Sequence, residues 1–327
     1  MLISVIIPCR NEEKYIKNCL LSLSNQSINQ NFYEIIVVDG KSEDNTINII
    51  NEIAREYNNI KVINNEKKIT PVAFNLGIKE AKGKIIAICG AHAIYSTNYL
   101  EEGLRLFELV EDADCVGGPI ISKGENNFAE ATALAMSSKV GIGNANHRFP
   151  DYEGYAEMAC FPFFKREVFN KIGLYDESLI RNQDDEFCFR LRTKGGKVYI
   201  SPKVKSTYLV RNSPKKLFRQ YFLYGFYRWH VFKKYSMPIS LRHFIPSFFI
   251  ITILLLLMLG LLIKNFSFLL VLLLVYVLVI FSVSLMQLKK YGLIISLLFN
   301  VSVYTLHFSY GSGLIYSLIN EVINKKK

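Results

Sequence analysis

Two kinds of apolar pattern divide the chain. Up to about residue 240, short apolar runs alternate with stretches whose apolar residues recur every three or four positions; beyond it, apolar residues fill nearly every position. Leu2-Ile3-Ser4-Val5-Ile6-Ile7-Pro8 is the first run, and its lack of alternation reads as a strand buried on both faces. Asn11-Glu12-Glu13 then opens a helix with Tyr15, Ile16, Cys19, Leu20 and Leu23 on one face. Glu34 to Asp39 reads as a second buried strand. After Gly40-Lys41-Ser42, Asp44 is placed to cap a helix turning Ile47, Ile50 and Ile53 inward. Ile60 to Ile63 is a short third strand, and Thr70-Pro71 starts a helix that ends near Lys82-Gly83. Lys84 to Cys89 is a fourth strand, followed by a helix from Ser96 or Thr97, and Cys115 to Ile121 a fifth. Strands alternating with helices predict an open, mostly parallel α/β sheet with helices on both faces, whose ligands bind at the carboxyl ends of the strands.

The alternation stops after Asn126. A helix to about Val140 leads into a Gly/Asn-rich loop from Gly141 to Tyr155, then Phe161-Pro162-Phe163-Phe164 and a short helix from Arg166 to Ile172; these read as a subregion laid over the sheet. A helix from Asp184 to Lys194 follows, ended by Gly195-Gly196, and Pro214 to Tyr235 reads as an aromatic helix rich in Lys and Arg. Phe244 to Ile263 and Phe266 to Met286 are each about 20 residues without charge, enough to cross a bilayer as a helical hairpin turning at Lys264-Asn265. Leu293 to Ile319 is also long enough, but it carries Asn300, His307 and Gly311-Ser312-Gly313; it spans or re-enters. The predicted organisation is therefore a soluble domain over 1–210, a basic aromatic interfacial region over 211–243, a membrane domain over 244–319 and a basic tail over 320–327.

Charge sharpens this picture. The net charge of +11 is concentrated between Ser201 and His243, where ten Lys and Arg stand with no Asp or Glu. A basic block beside apolar spans favours anionic lipid over nucleic acid as its partner and places the block, with the soluble domain, on the cytoplasmic face of a multi-pass cell-membrane protein. The six cysteines show no Cys-x-x-Cys pair and fall mostly inside apolar runs, as reduced core residues of a cytosolic compartment do. Met1 runs directly into the first strand, with no signal-peptide pattern.

The candidate chemistry lies in polar residues at strand ends and in one acidic triplet. Asp184-Asp185-Glu186 opens a helix. Acidic residues suit a helix start in any protein, but adjacent carboxylates also raise one another's pKa, as a base working near neutral pH requires. Asp39-Gly40 ends a buried strand, where the carboxylate either accepts bonds from a nucleoside or merely shapes a turn. Gly141-Ile142-Gly143-Asn144 only superficially resembles a phosphate loop, since it does not join a strand to a helix.

Taken in order, Val5-Ile6-Ile7-Pro8-Cys9-Arg10-Asn11-Glu12, Val37-Val38-Asp39-Gly40-Lys41-Ser42-Glu43-Asp44-Asn45-Thr46, Asn182-Gln183-Asp184-Asp185-Glu186 and Gln220 to Arg228-Trp229 resemble a family 2 glycosyltransferase of the membrane-associated exopolysaccharide, succinoglycan-like type. The resemblance covers residues 1 to about 235. It implies a GT-A fold and inverting transfer from a nucleotide sugar, UDP-linked in the first instance, to a lipid-linked or polysaccharide acceptor. Pro8, Arg10, Glu12, Asp39 and Gly90 would line the donor nucleotide site. Asp184, with Asp185 beside it, would be the catalytic base, and Gln183 stands where the family has Glu. Gln220, Arg228 and Trp229 resemble the family's Gln-x-x-Arg-Trp motif at the diphosphate and acceptor, at a longer spacing. The family's metal-binding Asp-x-Asp reads Gly90-Ala91-His92 here, which leaves His92 as the one ligand for Mg²⁺ or Mn²⁺ and puts the metal requirement in question. Two other readings stay open: a degenerate nucleotide-sugar-binding scaffold of a polysaccharide assembly complex, and a transporter, against which no span carries a mid-membrane charge.

Overall fold

The computed structural model describes residues 1–235 and 241–324, and the basic tail at Lys325 to Lys327 lies outside the described residues. The chain forms two compact units: Met1–Ile121 with Asn146–Tyr208, and residues 122–145 with the chain from Leu209 onward.

In the first unit the strands are Ile3–Cys9 (β1), Tyr33–Asp39 (β2), Ile60–Asn64 (β3), Ile85–Ile88 (β4), Ala93–Tyr95 (β5) and Cys115–Gly118 (β6). Ile121–Lys123 (β7) leads into the second unit, and Gly154–Tyr155 (β8), Cys160–Lys165 (β9), Val198–Ile200 (β10) and Ser206–Leu209 (β11) follow the return. The main sheet runs β3-β2-β1-β4-β9-β6-β10-β8. Its β1, β2, β3 and β4 are mutually parallel, β9 is antiparallel to both neighbours, and β11 pairs antiparallel with β5 in a separate small sheet.

Both faces of the sheet are covered, which is why the strand sequences are continuously apolar. Ile3, Val5 and Ile7 of β1, with Ile35 and Val37 of β2, pack against Leu20, Ile50 and Leu100 from the helices Ile16–Ser24, Thr46–Glu56 and Tyr99–Leu109. Ile6, Ile36 and Val38 face the other way, onto Phe74, Phe169 and Phe187 from the helices Thr70–Glu80, Glu167–Ile172 and Gln183–Thr193.

The stretch around Phe161 departs from the sequence-based expectation. It is not an overlay: β9 lies inside the sheet, between β4 and β6. Proline cannot donate to a ladder and is found inside sheets chiefly at bulges. Pro162 is accommodated because β4 pairs only with Phe163 to Lys165 and the register against β6 shifts between Val116 and Gly118. The helix expected from Asn11 begins at Ile16, and residues 96–98 precede a helix that starts at Tyr99.

The second unit is helical. Asn127–Met136, which the pattern assigned to the soluble domain, belongs here: Thr132 and Ser302 share a buried hydroxyl contact of 3.0 Å. Ile245–Ile263 ends at Lys264, in the left-handed region at φ 51°, and Asn265 caps the next helix by accepting from Ser267 N–H at 2.8 Å. The helix Ser267–Asn324 is broken at Gly292 (φ 79°, ψ 172°), where the chain folds back: Tyr276 meets His307 at 2.9 Å, and Asn300 donates to Ser284 at 2.9 Å. The polar residues of the third apolar segment are thus committed to helix contacts, with Asn300, Ser302, Ser309 and Ser317 buried. Ile245–Ile263 and Ser267–Ile323 are long and apolar enough to cross a membrane, and their outer positions, Leu254, Leu262 and Leu270 among them, are exposed. Two such helices indicate membrane association.

Candidate active site

Five non-glycine residues of the first unit hold positive φ angles: Asn11 (55°), Lys41 (57°), Lys68 (59°), Phe161 (43°) and Asn182 (59°). Asn11, Lys41 and Lys68 follow the carboxyl ends of β1, β2 and β3; Phe161 is in the first turn of chain of β9, which enters the sheet from that same end because it runs antiparallel to β4; Asn182 precedes the helix Gln183–Thr193. Strain of this kind persists where surrounding contacts hold it, and it concentrates at functional sites.

After β1, Arg10 reaches the surface and pairs with Glu43 at 3.8 Å, while Pro8 stays in the strand, paired in register with Val38. The backbone N–H of Glu12 donates to Thr46 Oγ1 at 2.7 Å, tying this loop to the start of the next helix. Asp39 is buried, and its carboxylate accepts from the backbone N–H (3.0 Å) and the hydroxyl of Ser42. It therefore shapes the Gly40-Lys41-Ser42 turn. Gly40 lets the Arg10 side chain pass close: a Cβ there would lie 3.3 Å from it.

The acidic triplet separates into three environments. Glu186 is fully buried and paired with Arg190 at 2.7 Å, and Arg190 also donates to the carbonyls of Ile172 and Leu174, so this carboxylate is structural. Asp185 is half-buried. Asp184 is exposed in the first helical turn, its Oδ1 accepting from Asp185 N–H at 3.1 Å. Burial pushes the Cys160 thiol up to about 12; Arg148 opposes the shift, and the nearby charges of Asp184 and Asp185 add to it. The helix lies against β9, with Phe187 edge-on to Phe164 and their ring centroids 5.1 Å apart. Gln183 keeps a buried Oε1 with no hydrogen-bond partner.

Residue 90 is enclosed by aromatic packing. Tyr95 Oη accepts from Gly90 N–H at 2.7 Å and donates to its carbonyl at 3.2 Å. The Phe161 ring lies edge-on to Tyr95, and Tyr99 donates to the Phe161 carbonyl at 2.6 Å. A Cβ on Gly90 would stand 2.7 Å from Phe161 Cε1, so an aspartate does not fit while that ring is in place. His92 stacks on Tyr15, with ring centroids 4.9 Å apart, and its Nδ1 lies 2.9 Å from Glu12 Oε2. Among the described residues no group of three or more His, Cys, Asp and Glu is placed to hold a metal. An imidazole and a carboxylate side by side nonetheless fit Mg²⁺ or Mn²⁺, whose remaining positions a diphosphate and water commonly fill. Sequence spacing had no means of finding Tyr15, Tyr95 and Phe161, because their roles arise only where three strands meet.

Gln220, Arg228 and Trp229 belong to the second unit. Gln220 donates to Tyr224 at 3.0 Å, and the Trp229 indole N–H donates to Glu321, which also pairs with Lys233 at 2.9 Å. Trp229 is thereby fastened to the end of the long apolar helix.

Residues 4–173 match the sequence profile described as glycosyl transferase family 2. The chain is 34% identical over 230 residues to the dolichyl N-acetyl-alpha-D-glucosaminyl phosphate 3-beta-D-2,3-diacetamido-2,3-dideoxy-beta-D-glucuronosyltransferase of Methanococcus voltae, covering 68% of this chain and 71% of that one. It is 32% identical over 246 residues to the succinoglycan biosynthesis protein ExoA of Rhizobium meliloti, covering 74% and 73%. Among solved structures it resembles the mannosyltransferase PcManGT of Pyrobaculum calidifontis in complex with GDP-Man and Mn2+, with TM-score 0.62 and 14% identity over 97% of this chain and 87% of that one. It also resembles S. aureus TarS 1-349 in complex with UDP-GlcNAc, with TM-score 0.52 and 20% identity over 69% and 66%. The sheet order, the strained loops at the strand ends and these likenesses agree: the chain is a glycosyltransferase of GT-A fold and belongs to glycosyl transferase family 2.

Proposed function

We propose that the chain is a membrane-anchored inverting glycosyltransferase that moves a sugar from a nucleotide sugar, UDP-linked in the first instance, to a lipid-linked or growing polysaccharide acceptor in cell-surface glycan synthesis. The observation that carries this reading is the setting of Asp184: an exposed carboxylate in the first turn of a helix that packs through Phe187 on Phe164 of β9, the strand between β4 and β6. Two relatives support the acceptor class by name, one a dolichyl-linked sugar transferase and one a succinoglycan biosynthesis protein.

The donor nucleoside lies over the loops after β1 and β2, against Pro8, Arg10 and the turn built by Asp39. Asp184 takes the proton of an acceptor hydroxyl, assisted by Asp185, and the oxygen attacks the anomeric carbon from the face opposite the leaving diphosphate. Alignment of acceptor and donor supplies much of the rate. Negative charge grows on the diphosphate, and a divalent cation held at His92 would neutralise it. Gln220, Arg228 and Trp229 act on the acceptor side, with Trp229 held by Glu321. The basic block faces anionic lipid at the cytoplasmic surface, with the apolar helices as a multi-pass anchor, so the acceptor's lipid stays in the bilayer while its head group reaches the base.

The test is nucleoside diphosphate release from a panel of UDP- and GDP-sugars by detergent-solubilised protein with membrane lipid extract. Asp184→Asn should lose at least about a hundredfold in rate with donor binding kept, in line with the worth of a positioned general base. Full activity of Asp184→Asn would remove the base assignment. The filling of residue 90's surroundings by Phe161 favours one competing reading, a scaffold that binds nucleotide sugar without turning it over; Asp184-dependent turnover excludes it.

A further inference from the structure

We infer that Glu12 and His92 together form the protein's edge of a divalent-cation site, with Glu12 restoring from the β1 loop the carboxylate that residue 90 cannot carry. The inference rests on the donor-site reading above. Glu12 Oε2 and His92 Nδ1 are 2.9 Å apart. Two adjacent ligands of an octahedral ion with bonds of about 2.1 Å are separated by about 3.0 Å, so the spacing of these two atoms matches that of neighbouring ligands on one ion. A two-ligand protein edge, completed by substrate phosphate oxygens and water, is the usual construction of Mg²⁺ sites, and an imidazole in the set favours Mn²⁺ further.

Each ligand is held from behind. The Glu12 backbone N–H is bonded to Thr46 Oγ1, and Thr46 in turn is bonded to Asp44, so the backbone of Glu12 is fixed by the start of the helix Thr46–Glu56. The His92 ring is stacked on Tyr15 at an interplanar angle of 23°. Both side chains keep partial access to solvent, 14% for Glu12 and 24% for His92. The local field suits a cation. Burial raises the Cys9 thiol pKa, and the negative charges of Asp39, Glu12 and Asp44 raise it further. Phe161, at φ 43° and held by Tyr99, fills the space that a carboxylate at residue 90 would take.

The same 2.9 Å is compatible with a plain hydrogen-bonded ion pair, and metal titration separates the two. Full-length protein in detergent is titrated with UDP, GDP and inorganic pyrophosphate by calorimetry, with and without Mn²⁺, and bound Mn²⁺ is read by electron paramagnetic resonance. Mn²⁺ should tighten diphosphate binding at least tenfold in the wild type. Glu12→Gln, which keeps the shape and a hydrogen bond to His92, and His92→Ala should each lose that gain, read for each variant as the ratio of its own affinities with and without Mn²⁺. Glu13→Gln, one residue along and exposed, should behave as wild type. Retention of the Mn²⁺ gain by Glu12→Gln overturns the inference, and so does diphosphate binding by the wild type that ignores Mn²⁺. Failure of all three probes to bind overturns the donor-site reading itself.

Discussion

Three carboxylates adjacent in sequence do three different things, and solvent access separates them. Asp184 is exposed at the helix start, Asp185 is half-buried beside it, and Glu186 points into the core, where Arg190 neutralises it and ties it to the Ile172 and Leu174 carbonyls. Removing one partner of a buried pair strands the other charge, at a cost of about 3–5 kcal/mol. Glu186→Ala should therefore lower the thermal midpoint of the first unit strongly, yet leave turnover per folded molecule near wild type below that midpoint. Asp184→Asn should do the reverse. Differential scanning of both variants beside the release assay checks this. A Glu186→Ala protein that is stable but inactive would move the catalytic assignment two residues along the helix.

At the scale of elements, the legible parts were those with a local cause. β1 and β2 were readable because both faces of the sheet are covered, so every position is apolar, and the Thr70 helix because proline sits at its first turn. The acidic helix start was readable for the same local reason, though which carboxylate faced solvent was not. What escaped is set by pairing across distance. Pro162 argued against a strand, and only the register shift opposite, at Val116 to Gly118, lets β9 occupy the middle of the sheet. The Phe161 ring against Gly90 follows from that placement, as does the nearness of Glu12 to His92, which belong to different loops. In the second unit, close helix packing depends on glycines whose spacing alone says little. A Cβ on Gly313 would lie 2.0 Å from the Phe222 carbonyl, and one on Gly225 would lie 2.1 Å from the Tyr310 carbonyl. Backbone cannot yield as a side-chain tip does. Gly313→Ala should therefore force the helices Pro214–Tyr235 and Ser267–Asn324 apart and cost about 1–3 kcal/mol. The check is a lowered midpoint for loss of Trp229 fluorescence, since that indole is fastened to Glu321 across the same pair of helices. An unchanged midpoint would mean that the pair is looser than its glycines indicate.

For the whole molecule, the question is what holds it at a membrane, and the sequence offers two physically distinct forces. The block of ten cationic residues between Ser201 and His243 is attracted to anionic lipid at about 1 kcal/mol per charge near the surface, a force that salt screens within about 8–10 Å. The helices Ile245–Ile263 and Ser267–Ile323 act through apolar area instead, and salt does not weaken that. If the apolar helices dominate, cell membranes carrying the full-length chain should retain it through washes in high salt and in alkaline carbonate, and only detergent should release it. If the basic block dominates, high salt alone should bring it into solution. The exposed leucines along both helices, Leu254, Leu262 and Leu270 among them, point to the first outcome. Each would cost on the order of 1.5–3 kcal/mol to leave in water rather than in hydrocarbon, so the exposed apolar side chains of both helices taken together outweigh about 10 kcal/mol of electrostatic attraction. Release by salt would mean that these faces are covered by protein rather than lipid, and the reason for assigning a lipid-linked acceptor would weaken with it.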